Sequence, residues 1–154
     1  MLRVEVQSKA SGAPPPARVR GLLSRAARAA KTPPSEVSVL FCADRRMRGL
    51  NRRYRGMDRS TDVLAFPAEG AGRGFLGDIV ISVPYAAREA RRRRESHSRE
   101  IDRLLVHGLL HLMGYDHETD DGEMESLEGR VRRRLGLGDR PLRWPSSARR
   151  KRPR

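Results

Sequence analysis

The sequence predicts one α/β (α+β) domain built on a single small sheet. Three observations lead there. Short runs rich in β-branched residues are interspersed with segments whose apolar residues recur at helical spacing. Helical segments outnumber strand candidates, and the two kinds come in mixed order. The 154 residues are enough for one domain with a sizeable hydrophobic core.

In chain order, "LRVEV" at 2–6 alternates apolar and polar residues and reads as a strand. "SGAPPPA" is a loop whose prolines lead into a helix over about 17–30, with Leu22, Leu23, Ala26 and Ala30 as its apolar stripe. "KTPPS" breaks that helix, and "EVSVLFC" is the next strand. Asp44 is placed to cap a short helix, "RRMRGLNRRYR", with Met47, Leu50 and Tyr54 on one face. "TDVLAFP" and "GFLGDIVISVP" are strands ending at prolines, separated by the Gly-rich "AEGAGRG". A helix over 85–95 carries the arginine run 91–94 on its exposed side, and a second begins near Ser98. The last helix starts at "DDGE", with Asp120 as N-cap and Glu123 at N3 in a capping box. Met124, Leu127, Val131 and Leu135 form its core-facing stripe. The expected domain is 1–139, followed by a basic, disordered tail over 140–154.

Composition narrows the function. There is no internal repeat, no apolar run near the ~20 residues of a membrane span, and no apolar leader at the N-terminus. The single cysteine, Cys42, rules out an internal disulfide framework, and the expected location is the cytoplasm. The formal net charge is +14, half of it from seven basic residues in the tail. Such charge favours a polyanionic partner, with nucleic acid ahead of a merely solubilising role.

The chemistry concentrates in "HGLLHLMGYDH", 107–117, which holds three of the four histidines. His107 and His111 are one helical turn apart and share a face. Gly114 fits a helix stop with positive φ, and the reversal can bring His117 back toward the same ion. Three neutral imidazoles suit one Zn²⁺ and leave a fourth position open, as catalytic sites do. The competing reading is a closed structural site, with Cys42, His97 or Asp116 as fourth ligand. Zinc proteases with this spacing carry a glutamate at the second position. Gly108 stands there instead, at a helix-interior cost of ~1 kcal/mol against Ala. Close approach of another backbone, or of substrate, would offset that cost. Without the glutamate, reactions that mainly need charge stabilisation remain, phosphodiester hydrolysis among them, and these call for arginine to hold phosphate. "NRRYRGMDRSTDVLAFP" offers Arg52, Arg53, Arg55 and Arg59 on a loop feeding a strand.

These segments together resemble a known family. "HGLLHLMGYDH" is similar to the defining motif of the YbeY endoribonucleases, also called rRNA maturation factors. "LNRRYRGMDRSTDVLAFP" is similar to that family's N-x-x-Y-R-x-x-D-x-P-T-D-V-L-S-F-P segment, and "LGDIVIS" to its L-G-D-I-x-I-S strand. The resemblance runs in order from Asp44 to Leu135. It implies a four-stranded mixed sheet flanked by about five helices, with one zinc on His107, His111 and His117 and an important arginine at Arg55. It also implies single-strand-directed cleavage of ribosomal RNA, notably in maturation of the 16S 3′ end, and a part in ribosome quality control. The implied partners are the small ribosomal subunit, a small-subunit ribosomal protein and an Era-type GTPase. Ser60 replaces the family's proline and should loosen the turn before the strand. Ala65 replaces its serine. Asp116 is expected to support the site rather than act as a base, and His97 to open a helix without touching metal. Two rivals stand beside this reading: a non-catalytic RNA-binding assembly factor with a structural zinc, and a metalloprotease that binds peptide along "TDVLAF".

Overall fold

The structure, a computed structural model, describes residues 1–69, 74–115 and 122–138. The order is β1 (Leu2–Ser8), α1 (Pro16–Ala29), β2 (Ser35–Cys42), α2 (Asp44–Arg55), β3 (Val63–Pro67), β4 (Phe75–Ser82), α3 (Val83–Arg92), α4 (His97–Leu112) and α5 (Glu123–Arg134). The strands form one mixed sheet in the order β1-β2-β4-β3. β1, β2 and β4 run parallel, and β3 pairs antiparallel with β4 as an edge strand, Val63 opposite Ile81 and Pro67 opposite Gly77. A proline at the end of an edge strand removes no ladder bond that the sheet needs. Among the described residues, no helix is long and apolar enough to cross a membrane.

The strand period of two divides the core between the faces of the sheet. Val37, Val39, Phe41, Val63, Ile79 and Ile81 point into the main core, together with α1, α4 and α5. Leu64, Val80 and Cys42 point to the other face, where Met47 of α2 covers them. α4 is the centre of the larger layer, buried on nearly every side from Glu100 to Leu110. Its buried polar residues, Glu100, Asp102, Arg103 and His107, therefore need partners within the fold. Ser96 caps it by accepting from the Arg99 N–H at 3.1 Å. Gly114, at φ 96°, stops it. The Tyr115 and Gly114 N–H groups donate to the Leu110 and His111 carbonyls at 3.2 and 3.0 Å, closing a Schellman turn as the sequence predicts.

Three local expectations change. Asp44 is the first residue of α2 rather than its cap, and Ala43 takes the cap position without a side-chain bond. The Asp44 carboxylate instead accepts from Ser60, Ser82 and Arg88, joining the starts of α2 and α3 to the loop before β3. Those donors, Arg88 foremost, hold its pKa below the usual carboxylate range. α5 begins at Glu123 behind Gly122 at φ 89°, so Glu123 is not at N3, while Asp120 lies outside the described residues. The 91–94 arginine run is not wholly a solvated face. α3 ends at Arg92, and Arg93 turns inward to Glu89 at 3.6 Å and the fully buried Glu100 at 3.5 Å. The tail and the boundary assigned to it also lie outside the described residues.

Candidate metal centre

His107 and His111 occupy successive turns of α4, ring centroids 4.6 Å apart and planes at 65°. Such proximity lets both rings reach one ion at Zn–N distances of ~2.0–2.1 Å. His107 is 2 % exposed, and His111 is half-buried. The His107 Nδ1 faces the α5 carboxylate of Glu128, 3.3 Å from each oxygen. That makes Nε2 the ring nitrogen that could ligate a metal. Among the described residues, no group of three His, Cys, Asp or Glu stands at metal-holding geometry. The third proposed ligand, His117, and its neighbour Asp116 lie outside them. The donors in view fit a metal: two adjacent imidazoles, one with a buried carboxylate at its Nδ1.

Two of the candidate fourth ligands are placed elsewhere. Cys42 is buried among Met47, Leu64 and Val80 on the opposite face of the sheet, and burial pushes its thiol pKa up. His97 opens α4 ten residues before His107, about 15 Å away along the axis at 1.5 Å per residue.

Gly108 packs against a side chain, rather than the backbone or substrate expected from the sequence. A Cβ there would meet three carbons of Ile79 on β4 at 2.9, 3.2 and 3.3 Å. α4 therefore lies closer to the sheet than a larger residue allows without a shift of α4 or Ile79. A glutamate at 108 would be driven into the core, which removes the structural basis of the protease reading.

Arg55 is the last residue of α2 and is exposed. Beside it the Tyr54 ring meets Phe66 of β3 edge-on at 5.1 Å, and the Arg53 guanidinium lies 5.4 Å from the Tyr54 centroid. Arg52, Arg53 and Arg59 are exposed as well. α4 packs on β3 from the other side of the sheet. The histidines and Arg55 thus lie on elements that flank the same edge strand.

The model of the YbeY family, described as endoribonuclease YbeY, matches residues 12–136. The chain belongs to this family. Endoribonuclease YbeY of Anaeromyxobacter sp. (strain Fw109-5) is 50% identical over 119 residues, covering 75% of this chain and 62% of that protein. The protein of the same name from Chelativorans sp. (strain BNC1) is 43% identical over 134 residues, 79% of this chain and 82% of its own length. Against Endoribonuclease YbeY of Anaeromyxobacter dehalogenans (strain 2CP-C) the match covers 58% of the relative, so this chain spans less than two-thirds of either Anaeromyxobacter protein. The solution structure of TM1509 from Thermotoga maritima superposes with a TM-score of 0.57 at 25% identity, covering 88% of this chain and 92% of that one.

Two places where the chain departs from the YbeY pattern now have a physical setting. The Ser60 hydroxyl donates to Asp44 at 2.6 Å, so the turn that the missing proline should loosen is tied by a charged hydrogen bond. Ala65 lies half-buried on the α4 face of β3 and packs against the main core. The next surprise is Asp62, buried at the start of β3, whose carboxylate accepts from the Val63 N–H at 2.8 Å. Burial pushes its pKa up to about 6, with Glu100 adding to the rise.

Sequence reasoning missed Glu128. The signal was present: Glu128 is four residues after Met124 and adjoins Leu127, on the stripe that α5 buries. A carboxylate in a core-facing stripe needs a partner.

Proposed function

We propose that this protein is a zinc-dependent, single-strand-directed endoribonuclease that works on ribosomal RNA in the cytoplasm, in maturation of the 16S 3′ end and in ribosome quality control. The observation that carries the reading is the pair of α4 imidazoles, 4.6 Å apart, in a chain of the YbeY family. His107 and His111 would hold the metal with His117 as third ligand. Bound there, zinc would supply Lewis-acid stabilisation of charge on oxygen and a lowered pKa for water. Arg55 would bind and orient the phosphate, its planar guanidinium matched to two phosphate oxygens. Its place at the end of α2, next to Tyr54 whose ring meets Phe66 of the edge strand β3, suits a single strand lying along that edge. The high positive charge supports a polyanionic substrate. The family resemblance extends the proposal to the small ribosomal subunit, one of its proteins and an Era-type GTPase as partners.

The deciding experiment compares stringently purified protein with its His111→Ala variant on single-stranded ribosomal RNA, with zinc and with chelator. Cleavage lost in the variant and under chelation supports the enzyme. Equal cleavage by both proteins exposes a contaminating nuclease. RNA binding without cleavage by the zinc-loaded wild type selects the assembly-factor reading.

A further inference from the structure

Resting on the metal-site reading above, we propose that Glu128 is the positioning residue of the centre: its carboxylate takes the Nδ1–H of His107 and so presents Nε2 to the ion. Both side chains are buried, His107 at 2 % and Glu128 at 3 % exposure. Nδ1 is equidistant from Oε1 and Oε2, at 3.3 Å. An ionised carboxylate only accepts, so the ring nitrogen that faces it must carry hydrogen. In a neutral imidazole the other nitrogen then keeps its lone pair, which is the form that binds metal.

The carboxylate is itself fixed in place. Met124, Leu127 and Val131 of α5 are buried in the main core, which sets the helix's height and rotation on α4. Beyond α5, the Leu137 carbonyl accepts from Nε and Nη2 of Arg103 at 3.4 and 3.3 Å. Arg103 is 3 % exposed and is gripped by Glu95 at 3.2 Å. It lies one turn before His107 on α4, so two successive turns of that helix hold α5. α5 would therefore serve the site as well as the core.

The rival explanation is an imidazolium–carboxylate pair that serves stability alone. An imidazolium carries hydrogen on both nitrogens and cannot ligate. Zinc competition titrations on the full chain separate the two, with wild type, Glu128→Gln, Glu128→Ala and His111→Ala. Loss of a carboxylate behind a ligating histidine costs about 10–100-fold in affinity. Glu128→Ala should fall in that range, and Glu128→Gln, whose amide oxygen can still accept from Nδ1–H, should lose less. His111→Ala tests the ligand assignment separately. If zinc affinity does not depend on His111, the metal site itself is wrong. If it depends on His111 but both Glu128 variants match wild type, the positioning role is wrong. Nitrogen-15 NMR of the metal-free wild type gives an answer that needs no variant to fold. A His107 ring with hydrogen on Nδ1 alone is expected, and hydrogen on Nε2 overturns the proposal.

Discussion

Gly108 gives the sharpest quantitative test of the packing. In an open helix, Gly→Ala stabilises by about 1 kcal/mol. Here the new methyl would lie 2.9, 3.2 and 3.3 Å from three carbons of Ile79, which is fully buried. Relief needs α4 or Ile79 to move by several tenths of an ångström, and overpacking of this kind costs about 1–3 kcal/mol. Gly108→Ala should therefore come out between neutral and about 2 kcal/mol less stable. Ile79→Val removes only Cδ1, the farthest of the three carbons, so the closest contact, with Cγ2, persists and the double variant should recover only a small part of the cost. Gly108→Glu restores the protease spacing but aims a carboxylate at the core, and should cost several kcal/mol or prevent folding. It should give no peptidase activity. Urea unfolding of wild type and the four variants, read by circular dichroism, supplies the numbers. An Ala variant more stable than wild type by the full helix-propensity gain would show that the face beside Ile79 is open, and the account of the missing glutamate would fail.

Other expectations are more compact. Asp62→Asn should gain on wild type as pH rises. The buried carboxyl's pKa of about 6 lies above its unfolded value, so its stabilising effect is complete below about pH 4 and lost as pH rises through about 6. At ~1.36 kcal/mol per unit the swing has a ceiling of about 3 kcal/mol, and parallel stability–pH curves for the two proteins would refute it. Ser60→Ala should lower stability by about 1 kcal/mol, the scale of one part-exposed hydrogen bond, in a thermal melt. Ser60→Pro should recover part of that loss if the turn accepts a fixed φ. Arg55→Ala should cut RNA cleavage by ~10²-fold or more with fold and metal content unchanged; near-normal turnover would remove Arg55 from the mechanism. Deletion of 140–154 should leave Tm unchanged and flatten the salt dependence of RNA binding by about 2 units if three arginines touch phosphate, at ~0.7 each.

The helices and strands were legible where periodicity was strong. The stripe Met124, Leu127 and Val131 announced α5, and Gly114 announced the end of α4. Neither the strand order nor the face on which each helix lies is written in local pattern, because both depend on pairing between distant segments. The charges that find partners within the fold were illegible for the same reason. Asp44, Arg93, Arg103 and Glu128 each look like surface residues in a chain with this many charges, and each has a distant partner: Ser82 and Arg88, Glu100, the Leu137 carbonyl, and His107. Asp62 differs: its carboxylate accepts from its own neighbour's N–H, and only burial sets it apart. Ser60 was misjudged because a proline's rigidity can be replaced by a hydrogen bond whose acceptor lies 16 residues earlier.

Gly108 and Glu128 answer the same requirement from two sides. His107 lies on a helix buried nearly all round, where an imidazole cannot rely on water to choose its tautomer. The bare backbone at 108 lets α4 settle onto β4. α5 packs against another face of α4 and brings a carboxylate to Nδ1. A glutamate at 108 would disturb this arrangement while adding a base that phosphodiester chemistry can do without. On the proposed reading, cleavage would depend on the electrostatics of the metal and of Arg55, in keeping with a site where the buried carboxylate of Glu128 already faces a histidine.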